Sequence, residues 1–319
     1  MARRKRKRKP KTVVFPSKVA LLLIVPSLFL FLFFNLWPIV YSISLAFTSA
    51  NYINIFRPDH PKYPLRFVGL DNFIKIFNDP GFKYSVYKTL LFVATSVPLK
   101  VAVGVALAFL FTSPMIWGRR VMRGLLLAPW ALPVIMTIMV WRGLFDPAAG
   151  PVAHVFSSLL GRSYTIHKNE WDAFLAYNIV EMWLAYPFIM TVVLGAISGI
   201  PRELIEASLI DGAGPLARFR YIILPQISRP LWFATILTSG ASLQAFLVPM
   251  LLNDGGPTSI VGNAFVRTND LLMLFGYHRA FMDGEYGYAA AFYLIVVVIL
   301  AVYMYVWFKV TGMYKGVGE

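Results

Sequence analysis

Six apolar stretches, each long enough to cross a bilayer as a helix, constrain this chain more than any other feature. They run over roughly 19–47, 89–111, 121–144, 174–197, 231–252 and 288–308. About 20 helical residues cover the hydrocarbon core of a membrane. Backbone N–H and C=O groups find no water there, so a spanning segment must pair them internally, as a helix or in a closed barrel. The period-two alternation of barrel strands is missing. The expectation is therefore an all-α polytopic membrane protein with six transmembrane helices. Composition agrees: 14% of residues are charged and 58% hydrophobic, whereas a soluble domain carries about 25% charged residues.

A net charge of +15 raises the question of a nucleic-acid partner. Its distribution argues against one. Nine bases fall in the first 18 residues: Arg3, Arg4, Lys5, Arg6, Lys7, Arg8, Lys9, Lys11 and Lys18. RNA or anionic lipid could bind such a run. Apolar sequence follows at once, however, and the bias of Lys and Arg toward cytoplasmic segments explains it as a tail that sets orientation. With the N-terminus inside, the inner segments 1–18, 112–123, 199–229 and 309–319 hold 18 bases and four acids. The outer segments 48–88, 145–173 and 253–287 hold ten of each. Both termini are thus expected on the cytoplasmic side of the cell membrane.

The first apolar stretch is far longer than the roughly 7–15-residue core of a signal peptide and has no convincing cleavage site, so it reads as a retained helix. The expected division is a basic tail (1–18), a first transmembrane helix (19–47), an outer loop (48–85), a core with five more helices (86–309) and a second tail (310–319). Cysteine is absent, which excludes disulfides and thiolate metal sites.

The inner segment from Gly199 to Pro225 is unusually structured for a loop. Pro201 suits a first helical position. Leu204, Ala207, Ser208 and Asp211 then follow the spacing of one helical face. Gly212 and Gly214 permit a sharp turn, Pro215 starts a second short helix, and apolar residues return at Leu216, Phe219, Ile222 and Ile223. Pro225 is expected to end the element. The product is a compact amphipathic helix–turn–helix, suited either to lying on lipid or to docking another protein.

The residues here resemble a family. Glu206-Ala207-Ser208, then Asp211-Gly212-Ala213, Ile222 and Leu224-Pro225 at set spacing, resemble the EAA loop of bacterial and archaeal ABC importer permeases. Ser208 stands where the family usually has a second Ala. The likeness covers roughly 86–309. Phe67-Val68-Gly69-Leu70-Asp71-Asn72-Phe73, Pro129-Trp130-Ala131-Leu132-Pro133, Gly255-Gly256-Pro257 and Gly287-Tyr288-Ala289-Ala290-Ala291 resemble its carbohydrate and glycerol-phosphate branch, and within it the first, maltose-permease-like subunit of a heterodimer. The resemblance implies four kinds of partner: a second permease subunit, two cytoplasmic ABC ATPase subunits, an external substrate-binding protein and the lipid bilayer. It implies that the EAA loop seats in a cleft of the ATPase, so that ATP-driven closure rocks the permeases from inward- to outward-facing. ATP hydrolysis is expected on the separate ATPase, since this chain has no Gly-x-x-x-x-Gly-Lys-Ser/Thr phosphate loop.

Polar groups within the apolar segments are candidates for a substrate pathway, because they are costly in a membrane and often functional. Thr235, Ser239, Ser242 and Phe246 follow one stripe of the fifth segment, with Gln244 nearby. Tyr177, Asn178, Glu181, Trp183 and Tyr186 crowd the fourth. Such groups bind a sugar through hydroxyl, amide and ring contacts. They serve equally as helix-packing residues or interface anchors. Glu181 and Lys100 either pair with each other, face a partner subunit or sit in a wet cavity. Pro129 and Pro133 are expected within the third helix and Pro187 within the fourth. His60, His154, His167 and His278 lie in outer loops without metal-ligand spacing. No catalytic, metal or cofactor site is expected. The rival readings are a permease for another solute, such as an amino acid or polyamine, and an ion-gradient-driven secondary carrier.

Overall fold

The computed structural model describes residues 17–112, 116–261 and 264–311. The expectations for the tails therefore fall almost wholly outside the described residues. Helix α1 (Ser17–Phe31) passes through a π turn (Leu32–Leu36) into α2 (Trp37–Ala46), and from Leu22 onward no side chain of the rod is buried until Ala46. The segment after α2 folds into α3 (Tyr52–Phe56) and α4 (Asp71–Asn78). Asn51 caps α3 reciprocally with Asn54, each side chain taking the other's backbone N–H.

Helix α5 (Pro80–Thr112) begins nine residues before the apolar stretch at 89. The third apolar segment is not one helix. It breaks into α6 (Arg119–Leu126), α7 (Ala128–Ala131) and α8 (Val134–Leu144). Leu132 is extended, with φ −98° and ψ 144°, as the ring of a following proline demands. Pro133 thus breaks this segment rather than kinking it. Pro98 and Pro187 leave their helices continuous.

The loop after α8 carries α9 (Pro151–Leu160) and leads to α10 (Glu170–Ser198), whose first turn is capped by Asn169. Helix α11 (Arg202–Ile210) follows. Helix α12 (Pro215–Arg218) runs without interruption through a π turn (Phe219–Ile223) into α13 (Leu224–Leu243). Pro225 therefore does not end the element: it sits in the first turn of α13, where its missing N–H is tolerated. The fifth segment bends by 45° between α13 and α14 (Leu247–Asn253). Strands β1 (Thr258–Val261) and β2 (Ala264–Arg267) form an antiparallel hairpin, with Ser259 opposite Val266. Helix α15 (Leu272–Tyr277), a π turn (His278–Met282) and α16 (Tyr286–Thr311) complete the chain.

The core is built on α5 and α10, which lie side by side and parallel: Lys88 pairs with Glu170, and Lys100 with Glu181. Gly104 lets them touch, since a Cβ there would come within 2.5 Å of Ile189 Cβ. Helix α13 runs antiparallel to α10, with Ile227 and Ala234 beside Ile189, Met190 and Val193, while Ser242 reaches the level of Glu181 through their shared partner Lys100. Helix α16 runs parallel to α5, Phe292 meeting Phe82 and Leu300 meeting Val97. At one end of the bundle the loops interlock. Asn72 donates to the carbonyls of Ala46 and Thr48, each at 2.9 Å, and Asp79 receives Arg279 and the Tyr288 hydroxyl.

Among the described residues four helices are long and apolar enough to cross a membrane, or five with the bent pair counted as one. That differs from six because the third segment is in pieces.

Candidate functional site

Two groupings hold the residues singled out above. The first is the turn between α11 and α12. Helix α11 ends at Asp211, and Gly212 adopts the left-handed conformation with φ +73°. Ala213 N–H donates to Ser208 O at 2.9 Å and Gly212 N–H to Leu209 O at 3.1 Å. That pair of bonds is a Schellman stop, which needs a residue tolerant of positive φ after the cap. Gly214 then precedes Pro215 at the start of α12. The stop turns the chain sharply, so α11 and α12 project as a helix–turn–helix.

Pro201 is the residue before the first helical position rather than that position itself. The face made by Leu204, Ala207, Ser208 and Asp211 divides: Ser208 is buried, with its hydroxyl donating to Ile205 O at 2.6 Å, and the other three are exposed. Glu206, Gly212, Leu224 and Pro225 are exposed as well, and Ala213 and Ile222 half-buried. Leu204, Leu209, Ile210 and Leu216 are large apolar residues left uncovered, Ile210 at 87% and Leu216 at 78%. An apolar patch of this kind suits contact with lipid or with another protein.

The second grouping lies inside the bundle, where α5, α10 and α13 meet. Lys100 Nζ donates to Glu181 Oε2 at 2.9 Å and to Ser242 Oγ at 2.8 Å. Ser242 in turn donates to Thr238 O. The Lys100 side chain is 2% exposed and that of Glu181 18%. Sequence reasoning left this pair as one of three options; the fold makes it an ion pair. A helical turn away, Thr95 donates to Asn178 Oδ1 at 2.9 Å, and Asn178 donates to Phe174 O.

The remaining candidates separate by what they touch. Thr235 and Ser239 turn their hydroxyls back onto Leu231 O and Ile236 O of their own helix. Gln244 caps α13 in an exposed position, with Nε2 on Gly240 O. Phe246 stands at the bend, its ring centroid 5.3 Å from that of Tyr277. Tyr177 is fully buried and donates to Asn253 Oδ1, tying α10 to the end of α14. The Tyr186 hydroxyl donates to Leu126 O at 2.9 Å, and Trp130 Nε1 to Leu184 O at 3.3 Å. These two bonds stitch the broken third segment to α10, and the Tyr186 bond satisfies a carbonyl at the end of α6 in the way neighbouring helices satisfy interrupted backbone in a membrane. Trp183 stacks edge-on between Trp141 and Tyr186. A cluster that sequence reasoning missed lies in the loop between α14 and α16, where His278 joins Asp254 to Asp270. These residues are 24 and 8 positions from His278, and nothing in their spacing signals the contact.

A parallel helix pair tied by ion pairs, a bent fifth segment and four helices long and apolar enough to cross a bilayer are the architecture of a polytopic helical membrane protein. Residues 100–309 match the family described as the binding-protein-dependent transport system inner membrane component, and the chain belongs to that family. It is 32% identical over 253 residues to the maltose/maltodextrin transport system permease protein MalF of Klebsiella aerogenes, an alignment covering 77% of this chain and 49% of that one. The chain thus spans about half the length of that relative. It is 30% identical over 294 residues to the trehalose/maltose transport system permease protein MalF of Thermococcus litoralis, covering 92% of this chain and 94% of the relative. In fold it is similar to a chain of a bacterial ABC transporter involved in the import of the acidic polysaccharide alginate, with a TM-score of 0.75, 18% identity and 95% and 97% of the two chains covered.

Proposed function

We propose that this chain is the permease subunit of an ATP-driven ABC importer, forming with a second permease the membrane pathway for a sugar or a glycerol phosphate. An external binding protein delivers the solute, and two cytoplasmic ABC ATPases drive the cycle. The observation that carries the reading is the exposed Schellman turn at Gly212 with its apolar flanks. An element so ordered and so uncovered is built to be covered by another protein, and its sequence is that of an EAA loop. The maltose and trehalose/maltose relatives support the sugar class. Glu181, Ser242 and Gln244, with the rings of Trp183, Tyr186 and Phe246, are the proposed pathway groups. Tyr177 and Asn178 act mainly as packing partners around them. Ser242 is already enclosed by Lys100 and its own helix, so Glu181 and Gln244, the more open acceptors, are the better sugar contacts.

Six crossings follow if the pieces of the third segment traverse the membrane together. The parallel directions of α5 and α10 support this, because the chain between them must return to the side on which α5 began. Both termini and the α11–α12 turn then lie in the cytoplasm. Cysteines placed at Ile210 and Ser259, both exposed, test the assignment in a chain with none of its own. In intact cells an impermeant maleimide is expected to label Ser259→Cys and to leave Ile210→Cys untouched until the membrane is opened. The reverse pattern overturns the orientation. Uptake into vesicles tests the function: the expected result is dependence on ATP and the ATPase subunit. Persistence on an ion gradient alone would favour a secondary carrier.

A further inference from the structure

The outer loop between the fifth and sixth apolar segments is closed by a three-residue bridge. His278 opens the π turn after α15, and its side chain is 3% exposed. Its Nδ1 lies 3.0 Å from Asp270 Oδ2 and its Nε2 3.0 Å from Asp254 Oδ1. Asp254 ends α14 in a left-handed conformation, and Asp270 follows β2. The bridge therefore joins three elements at the base of the β1–β2 hairpin.

A neutral imidazole has one N–H and one lone pair. Between two carboxylates it could donate to one and would turn its lone pair on the other. Both contacts are hydrogen bonds only when the three groups share one further proton, either as an imidazolium between two carboxylates or as a neutral ring between a carboxylate and a carboxylic acid. The surroundings favour keeping that proton. Burial pushes the Asp270 carboxyl above its usual range, against the pull of His278. Burial also lowers the His278 pKa, but the hydrogen bonds and charge of Asp270 and the hydrogen bond from Asp254 outweigh it and leave the ring above its ordinary value. The opposing charge is Arg267 on β2, 3.9 Å from Asp254 Oδ2. Arg279, next in the chain, is turned toward Asp79, Asp283 and Glu285. Tyr177 on α10 and Tyr293 on α16 are the other titratable neighbours of the aspartates.

We propose that the Asp254–His278–Asp270 bridge is a proton-dependent latch on the outer hairpin, closed while it holds its proton and released when an alkaline external medium removes it. Since the closed form binds the proton more tightly than the open form, its stability is complete below the open-form pKa of about 6.5. That stability falls as pH rises through the higher closed-form value. Thr268 to Pro257 O, Asn269 N–H to Gly255 O and Asn269 Nδ2 to Glu170 O and Gly256 O also tie the hairpin base without a titrating side chain, and the Arg267 contact acts through the bridge's own Asp254. The pH response therefore belongs to the bridge.

The test uses the full chain in lipid nanodiscs and needs no partner, so its failure would leave the permease reading untouched. Val266→Cys, at a buried position on β2, reports opening; Ser259→Cys, its exposed cross-strand neighbour, corrects for the growing thiolate fraction at high pH. The ratio of their maleimide labelling rates is expected to rise at least about tenfold between pH 6 and pH 9. In the His278→Asn background it should be high and flat. Ring nitrogen spectra of the unmutated chain give an independent reading: the His278 ring, assigned by its loss in His278→Asn, should still be engaged at both nitrogens at pH 7.5. A flat ratio in the parent, an equal rise in His278→Asn, or a His278 ring that titrates like a solvated one overturns the latch.

Discussion

Gly212→Val is expected to leave the chain inserted in the membrane and to abolish ATP-driven uptake. Gly212 has φ +73°, and a Cβ built there meets no atom within 4 Å. The substitution therefore brings no clash within the chain. Its cost is that of a left-handed backbone on a β-branched residue, about 1–2 kcal/mol. Two Schellman hydrogen bonds hold that conformation from within, and the exposed segment has little packing to add. The cheapest relief is to change the turn. Ile210 and Leu216 lie on opposite sides of it, so a new turn rearranges the apolar patch that the ATPase is proposed to cover. Gly212→Asn is the control, because Asn accepts the left-handed cap position; it is expected to retain most uptake. Co-purification of the ATPase with each variant, beside uptake, decides the matter. Normal uptake by Gly212→Val, or an ATPase that binds regardless of residues 201–225, would remove the coupling assignment.

Glu181→Leu is expected to destabilise the folded chain by about 3–5 kcal/mol, the usual cost of orphaning a buried charge. Lys100 would keep Ser242 but lose its counter-charge. Lys100→Met should cost less, because the glutamate left behind is the more exposed partner, 18% against 2%, and can be hydrated. Combining the two replaces the ion pair by apolar side chains, which in other buried pairs is close to neutral. The double variant is therefore expected to recover most of the stability lost by Glu181→Leu. Uptake should stay low, since the carboxylate acceptor is still missing. Thermal unfolding in detergent gives the stability arm. Additive losses in the double variant would mean that the two side chains do not act as a pair, and full uptake by it would remove Glu181 from the pathway.

Much of the α11–α12 turn could be read in advance because it is local. A left-handed stop favours glycine at the position after the cap, a new helix welcomes proline at its start, and both signals stand within five residues at Asp211 to Pro215. The prolines show the opposite case. Pro98, Pro187 and Pro230 lie in helices that continue through them, and Pro133 breaks its segment. Pro98, Pro133 and Pro187 are the same residue in similar apolar sequence. What differs is the neighbourhood: Pro129 stands four residues before Pro133, and Tyr186 and Trp130 hold the interrupted backbone against α10. The continuation past Pro225 was likewise hidden, because a proline in a helix's first turn and one beyond its last carry the same letter.

Hydropathy, charge bias and backbone preference act along the chain, and they sufficed for the helical membrane class, the placement of the apolar segments and the conformation of Gly212. Pairing acts across it. Lys100 meets Glu181 and Ser242 over separations of 81 and 142 residues, and His278 meets Asp254 and Asp270 from a separate helix end. A buried charge must find a partner, but its cost does not say which one. Only the parallel packing of α5 on α10, set by the fit of Gly104 against Ile189, brings the lysine and the glutamate to the same depth. Only the folding of the outer loop back on itself places an imidazole between two carboxylates.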